Sequence, residues 1–172
     1  RLLHVFVAGP GVGEGIAVAF PRRGWLLVDS CRGSGRPSEA VSLEQIWQRW
    51  RTSQDDGVFA IVLTHPHEDH AEGFADLVES VKPQWIGVAG TLPPTIQLYG
   101  EFQRRLREIS RGALPTDTIQ LAKQVRSALL AIATWHETHD SHLIALCDGC
   151  TLPIRRPRIT VRAPDSEMLR AI

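Results

Sequence analysis

The sequence predicts an α/β fold, a mixed sheet with helices packed on it, and three features carry that expectation. Short apolar runs recur at strand length, the clearest being Val58-Phe59-Ala60-Ile61-Val62-Leu63. Amphipathic stretches with helical spacing fall between several of these runs. Two early runs are joined by the turn Pro21-Arg22-Arg23-Gly24. Strands separated by helices imply parallel pairing, whereas a tight turn implies an antiparallel hairpin.

Taken in order, His4-Val5-Phe6-Val7, Ile16-Ala17-Val18-Ala19-Phe20 and Trp25-Leu26-Leu27-Val28-Asp29 read as strands. Residues 42–51 read as a helix whose Leu43, Ile46, Trp47 and Trp50 form one apolar face. Its two tryptophans are expected to anchor the core and not to stack on a substrate. After the apolar run 58–63, Phe74, Leu77, Val78 and Val81 stripe a helix over 70–81, with Glu72, Asp76 and Glu79 on its other faces. Trp85-Ile86-Gly87-Val88-Ala89 is the next strand, and Leu92-Pro93-Pro94 ends it. Helices follow around 96–110 and 117–137, separated by Arg111-Gly112-Ala113-Leu114-Pro115, with Thr116 or Asp117 as an N-cap. Asp148-Gly149, between Leu143-Ile144-Ala145-Leu146 and Thr151-Leu152, signals a two-residue hairpin. Residues 3–8, 15–20, 25–30, 58–64 and 84–89 should therefore share one sheet, with helices 42–51 and 70–81 on one face.

Composition sets bounds. At 172 residues, 43% of them hydrophobic, the chain is one domain or most of one and can bury a core. Its formal net charge is zero, so bulk electrostatics do not advertise nucleic-acid binding. The basic residues are nearly all Arg; Lys82 and Lys123 are the lysines. Arg104-Arg105-Leu106-Arg107 reads as a solvated helical face, and Arg155-Arg156-Pro157-Arg158 as a loop able to meet a phosphate. Three cysteines do not make a disulfide framework. No run of 18 apolar residues and no signal peptide is visible, which points to the cytoplasm and to no membrane segment in this chain.

The chemistry concentrates at Thr64-His65-Pro66-His67-Glu68-Asp69-His70, immediately after the run 58–63. The cluster lies at the mouth of a strand, where the backbone leaves the core and side chains can converge. Imidazole nitrogen and carboxylate oxygen are the donors that zinc and neighbouring transition metals take. His65 and His67 are two apart and project to the same side of an extended chain, which Pro66 favours. Asp69 and His70 come where the following helix begins. Four donors so close exceed what one open tetrahedral ion needs, so a pair of metals is the economical interpretation. A solvated loop holding one histidine by chance would not show this spacing.

His65-x-His67-x-Asp69-His70 resembles the signature of the metallo-β-lactamase superfamily, mostly zinc-dependent hydrolases with an αββα sandwich fold. The resemblance covers about residues 3 to 165 and the first half of the family's pattern. Gly11-Val12-Gly13-Glu14-Gly15 is similar to a glycine-containing segment before the second strand, and Asp29 fits an aspartate at a strand end near the metals. The layout looks most like the hydrolase domain of bacterial DNA-uptake competence proteins, including the strand-like Ile159-Thr160-Val161-Arg162-Ala163-Pro164.

The resemblance implies that His65 and His67 hold one metal, and that Asp69 and His70 hold the other. Asp69 would also orient or deprotonate the attacking water, and Asp29 would fix a ligand's orientation. The cofactor would be Zn2+, one or two ions, with Mn2+ as the alternative, and the reaction hydrolysis by hydroxide generated from water. A phosphodiester, nucleic acid above all, is the first substrate; esters, thioesters and β-lactams stay open. The family's remaining ligands fall on later strands, so the domain is expected to be truncated on its C-terminal side and attached to further domains or a larger assembly. This chain alone is then expected to bind metal poorly. The rival reading is a non-catalytic interaction or sensing module of the same fold.

Two other groupings compete for attention. His136, His139 and His142 could complete a metal shell, but histidines ending a long helix also interact favourably with its dipole. Cys147 and Cys150 could be half a zinc knuckle or a redox pair; the plainer reading is two small residues facing each other at a hairpin tip.

Overall fold

The computed structural model describes residues 2–9, 14–30, 41–52, 57–65, 68–89, 126–135, 138, 143–153 and 158–162. Six strands form one sheet in chain order: β1 (His4–Ala8), β2 (Gly15–Phe20), β3 (Gly24–Val28), β4 (Val58–Leu63), β5 (Trp85–Ala89) and β6 (Leu143–Leu146). β1–β2 and β2–β3 pair antiparallel; β3–β4, β4–β5 and β5–β6 pair parallel. The expected α/β class, a mixed sheet with helices on it, is what forms. β4 lies inside the sheet, and all six of its residues are buried, as its unbroken apolar run requires.

Each parallel pair needs a crossover, and helices supply them. α1 (Leu43–Trp50) joins β3 to β4, α2 (Glu68–Ala71) and α3 (Phe74–Val81) join β4 to β5, and the helical residues 126–135 precede β6. All pack on one face. Leu43, Ile46 and Trp47 of α1 meet Phe74, Leu77, Val78 and Val81 of α3, with Ala128, Leu129 and Ile132, over Leu27, Ile61, Leu63 and Ile86 of the sheet. Each large side chain buried here contributes about 1.5–3 kcal/mol. The opposite face gathers Leu26, Ala60, Val62, Leu146 and Leu152. Phe59 joins that face because the β3–β4 register shifts between Trp25 and Leu26, and it packs against Phe20 with ring centroids 5.5 Å apart.

Several boundaries differ from expectation, each for a physical reason. The helix expected over 70–81 is two helices, because Gly73 takes a left-handed φ of 76° and breaks the ladder. The strand expected over 25–30 ends at Val28, since Asp29 turns with φ 57°. Trp47 is a core anchor, but Trp50 is 54% exposed and only leans on Phe6, ring centroids 5.3 Å apart. The Asp148-Gly149 turn forms, with Gly149 at φ 80° and the Cys150 N–H donating to the Cys147 carbonyl at 3.0 Å. It does not fold 151–152 back onto β6. Thr151 bridges Thr160 instead, and the Leu152 N–H donates to the Ile159 carbonyl. β6 pairs parallel with β5, as a crossover connection requires, and is the last strand of the sheet. The helices expected around 96–110, the first part of 117–137, and the arginines at 104, 105, 107, 155 and 156 lie outside the described residues. No helix among the described residues is long and apolar enough to cross a membrane.

Candidate metal centre

β3 and β4 run parallel and side by side, so their C-terminal ends reach the same rim of the sheet. Open α/β sheets bind ligands outside that rim. Asp29 leaves β3 in a left-handed conformation, which aspartate tolerates better than most residues. Its N–H still donates to the Val62 carbonyl at 2.7 Å, so the turn starts without losing the ladder. The turn throws the Asp29 carboxylate across to the end of β4, where the side chain is 4% exposed as a residue.

That carboxylate is the hub of the rim. Oδ1 accepts the Thr64 backbone N–H at 2.8 Å, and Oδ2 accepts the Thr64 hydroxyl at 2.8 Å. Oδ2 also meets Nδ1 of His70 at 2.8 Å, the contact between a carboxylate and a histidine that fixes a ring's orientation. Ser30, equally buried, ties down the other side of the same loop. Its N–H donates to the His70 carbonyl at 3.2 Å, and its hydroxyl lies 2.8 Å from that carbonyl and 2.6 Å from that of Glu72. These carbonyls lie at and just past the end of the four-residue α2, where helical partners run out, so Ser30 satisfies groups that the break at Gly73 would leave bare.

Three donors converge on this frame. Among the described residues, His65, Asp69 and His70 each offer one ligand atom, all within 4.8 Å of one another. The rings of His65 and His70 have centroids 3.9 Å apart, and Nε2 of His70 lies 3.3 Å from Oδ2 of Asp69. With Nδ1 of His70 donating to Asp29, an unprotonated Nε2 would put a lone pair against a carboxylate oxygen. Only a cation between them, a proton or a metal ion, makes that contact favourable. Two imidazoles and a carboxylate so placed are donors that fit zinc or a related ion.

The resemblance implies His65 and His67 on one metal and Asp69 with His70 on another; His65, Asp69 and His70 belong to a single group in space. His67, the fourth expected ligand, lies outside the described residues, as do His136, His139 and His142. Cys147 and Cys150 face each other across their turn, with their sulfurs paired in a disulfide. Thr64 and Ser30 have no role in the sequence-based expectation, although both contact the site's hub or its loop. The only signals were positional: a hydroxyl residue closing an apolar run, and another directly after the strand-end aspartate.

Residues 16–151 match the family model of the metallo-beta-lactamase superfamily. The match spans more than half of the chain, and the chain belongs to that superfamily. No curated protein matches it.

Proposed function

We propose that this chain carries the metal centre of a metal-dependent hydrolase. One observation carries the reading: donor atoms of His65, Asp69 and His70 lie within 4.8 Å of one another at the C-terminal rim of parallel strands. Membership of a superfamily that is mostly hydrolytic supports it. His65, His67, Asp69 and His70 would hold the ions, zinc first and manganese as the alternative. When bound, the metal supplies Lewis acidity, bringing the pKa of a water molecule toward neutrality and offsetting charge that develops on the substrate. Asp69, with a carboxylate oxygen beside His70, orients the attacking water and takes its proton. Asp29 holds His70 through Nδ1, so the ring does not swing away as charge shifts.

The substrate proposed first is a phosphodiester, with nucleic acid as the biological form. That choice rests on the resemblance of the layout to the hydrolase domain of DNA-uptake competence proteins. The test is hydrolysis of bis(4-nitrophenyl) phosphate and single-stranded DNA by the full-length native protein, with and without added zinc or manganese. Alanine at His65 or Asp69 should abolish turnover while the circular dichroism spectrum stays unchanged. Turnover that survives either substitution removes the metal mechanism. Metal uptake with no hydrolysis of phosphodiesters, esters or thioesters would instead favour a sensing or interaction module.

A further inference from the structure

The contacts of Thr64 determine more than the shape of the loop. Its hydroxyl has one proton and two acceptor lone pairs. It lies 2.8 Å from Oδ2 of Asp29 and 3.0 Å from Nδ1 of His65. An ionised carboxylate can only accept, so the Thr64 proton must point at Asp29. The reverse choice, with the proton on the His65 contact, would leave two bare oxygens facing each other at 2.8 Å in a half-buried site. The hydroxyl can therefore only accept from His65. Nδ1 of His65 must carry the proton, which in the neutral ring leaves Nε2 unprotonated. The same logic applies to His70, whose Nδ1 lies 2.8 Å from the same Asp29 oxygen. One carboxylate thus sets both rings, His70 directly and His65 through a hydroxyl relay.

We propose that Thr64 is a positioning residue that locks His65 as the Nδ1–H tautomer and so presents Nε2 to the metal. Its consequence for metal binding rests on His65 being a ligand, as proposed above; the lock itself does not. A free histidine side chain favours the opposite tautomer, with the proton on Nε2, where it would block that nitrogen as a ligand. Losing the lock means that a ligand must rearrange its proton before it can bind. Partners of this kind behind a ligating histidine typically influence metal affinity by about 10- to 100-fold. The backbone N–H of Thr64 makes its own bond to Oδ1 of Asp29, so removing the hydroxyl leaves the loop anchored.

The experiment is long-range 15N–1H correlation of the imidazoles in the intact metal-free chain, at a pH where they are neutral. The His65 signal is assigned by its loss in His65→Gln. His65 should show the Nδ1–H pattern in the wild type and in Thr64→Ser, and move toward the Nε2–H pattern in Thr64→Val. Cobalt(II) titration, read by its visible absorption, should give an affinity lower by about 10- to 100-fold in Thr64→Val and close to wild type in Thr64→Ser. An Nε2–H pattern for His65 in the wild type overturns the lock without any variant. So does a Thr64→Val chain whose tautomer and cobalt affinity both match the wild type, and that result leaves the metal reading standing. A chain locked on Nδ1–H that takes up no cobalt keeps the lock and removes the metal reading.

Discussion

The two ends of the β3–β4 pair are closed in opposite ways. At the lower end the backbone closes on itself. The Trp25 N–H donates to the Gly57 carbonyl at 3.0 Å, and Gly24 turns there with φ 91°. A Cβ at Gly24 would run into the Gly57 carbonyl oxygen. Around that end sit the apolar rings of Phe6 and Trp25, stacked with centroids 5.7 Å apart. At the upper end one side chain replaces backbone and rings. Asp29 bonds to the Thr64 amide, the Thr64 hydroxyl and His70, and the conformation that places it is itself left-handed. The lower end is rigid because little fits there. The upper end is rigid because buried polar groups need each other, and groups of that kind can also face a ligand.

The comparison predicts where substitutions hurt and in which measurement. Among substitutions at the upper end, Asp29→Ala should have the largest effect, because it strips partners from three donors at once. An unpaired buried donor costs about 1–3 kcal/mol, so a loss of about 3–4 kcal/mol in urea unfolding is expected, with water offsetting part of the sum at Thr64. Cobalt affinity should fall together with stability, by about 10- to 100-fold. Were the variant nearly as stable as the wild type, the upper end would be held by its backbone after all and the contrast would collapse.

Gly24→Ala comes next, at about 2–3 kcal/mol. A left-handed conformation costs a residue with a Cβ about 1–2 kcal/mol, and the close carbonyl adds to it. Here the two measurements should part company. Unfolding shifts to lower denaturant, yet the folded fraction should bind cobalt with wild-type affinity. A matching loss of metal affinity would mean that strain at one end of β3 reaches the other, and the two ends could not be treated as independent.

Much of the sheet was legible in the sequence, and the reason separates these ends as well. The strands at 4–7, 16–20, 58–63 and 85–89 announce themselves because burial on one or both faces demands apolar side chains at strand spacing. Asp29, directly after β3, was singled out by resemblance alone, and its bonds to Thr64 had no part in that reading. What could not be read were bonds across long stretches of chain. Thr64 reaches Asp29 over 35 positions, and Ser30 reaches Glu72 over 42. Nothing local to either residue marks such a partner. The same limit explains the split at Gly73. A glycine inside a helical pattern is tolerated or not according to whether something else satisfies the carbonyls that a break exposes, and here Ser30 does. At Asp148-Gly149 the local turn signal was correct and the choice of strand partner was not, because 150–152 pair with the more distant 159–161 and not with β6.

Ser30→Ala isolates that clamp. It deletes the hydroxyl and keeps the N–H bond to the His70 carbonyl, so the expected cost is smaller, about 1–2 kcal/mol. The sharper readout is local. Amide hydrogens of 68–73 should exchange faster than in the wild type, while those of β4 should be unaffected. Uniform acceleration across the sheet would mean that Ser30 stabilises the whole fold and has no particular hold on the joint between α2 and α3.

The smallest effect is expected at the lower end, from Trp50→Ala. Trp50 is large and aromatic, and on sequence alone it belongs with Trp47 in the core. Yet it is half-exposed, and its ring meets Phe6 at a tilt of 44° with centroids 5.3 Å apart. Such a pair contributes about 0.5–1.5 kcal/mol beyond its buried area. Because much of the indole already faces solvent, the loss should total only about 1 kcal/mol in urea unfolding. Trp47→Ala is the internal standard: buried in the same helix, it should cost about 3–5 kcal/mol. Cobalt affinity should not move in Trp50→Ala, since α1 ends at the far rim from the donors. A Trp50 loss approaching that of Trp47 would show the indole covered in solution. The lower rim would then be a packed part of the core and not an open edge.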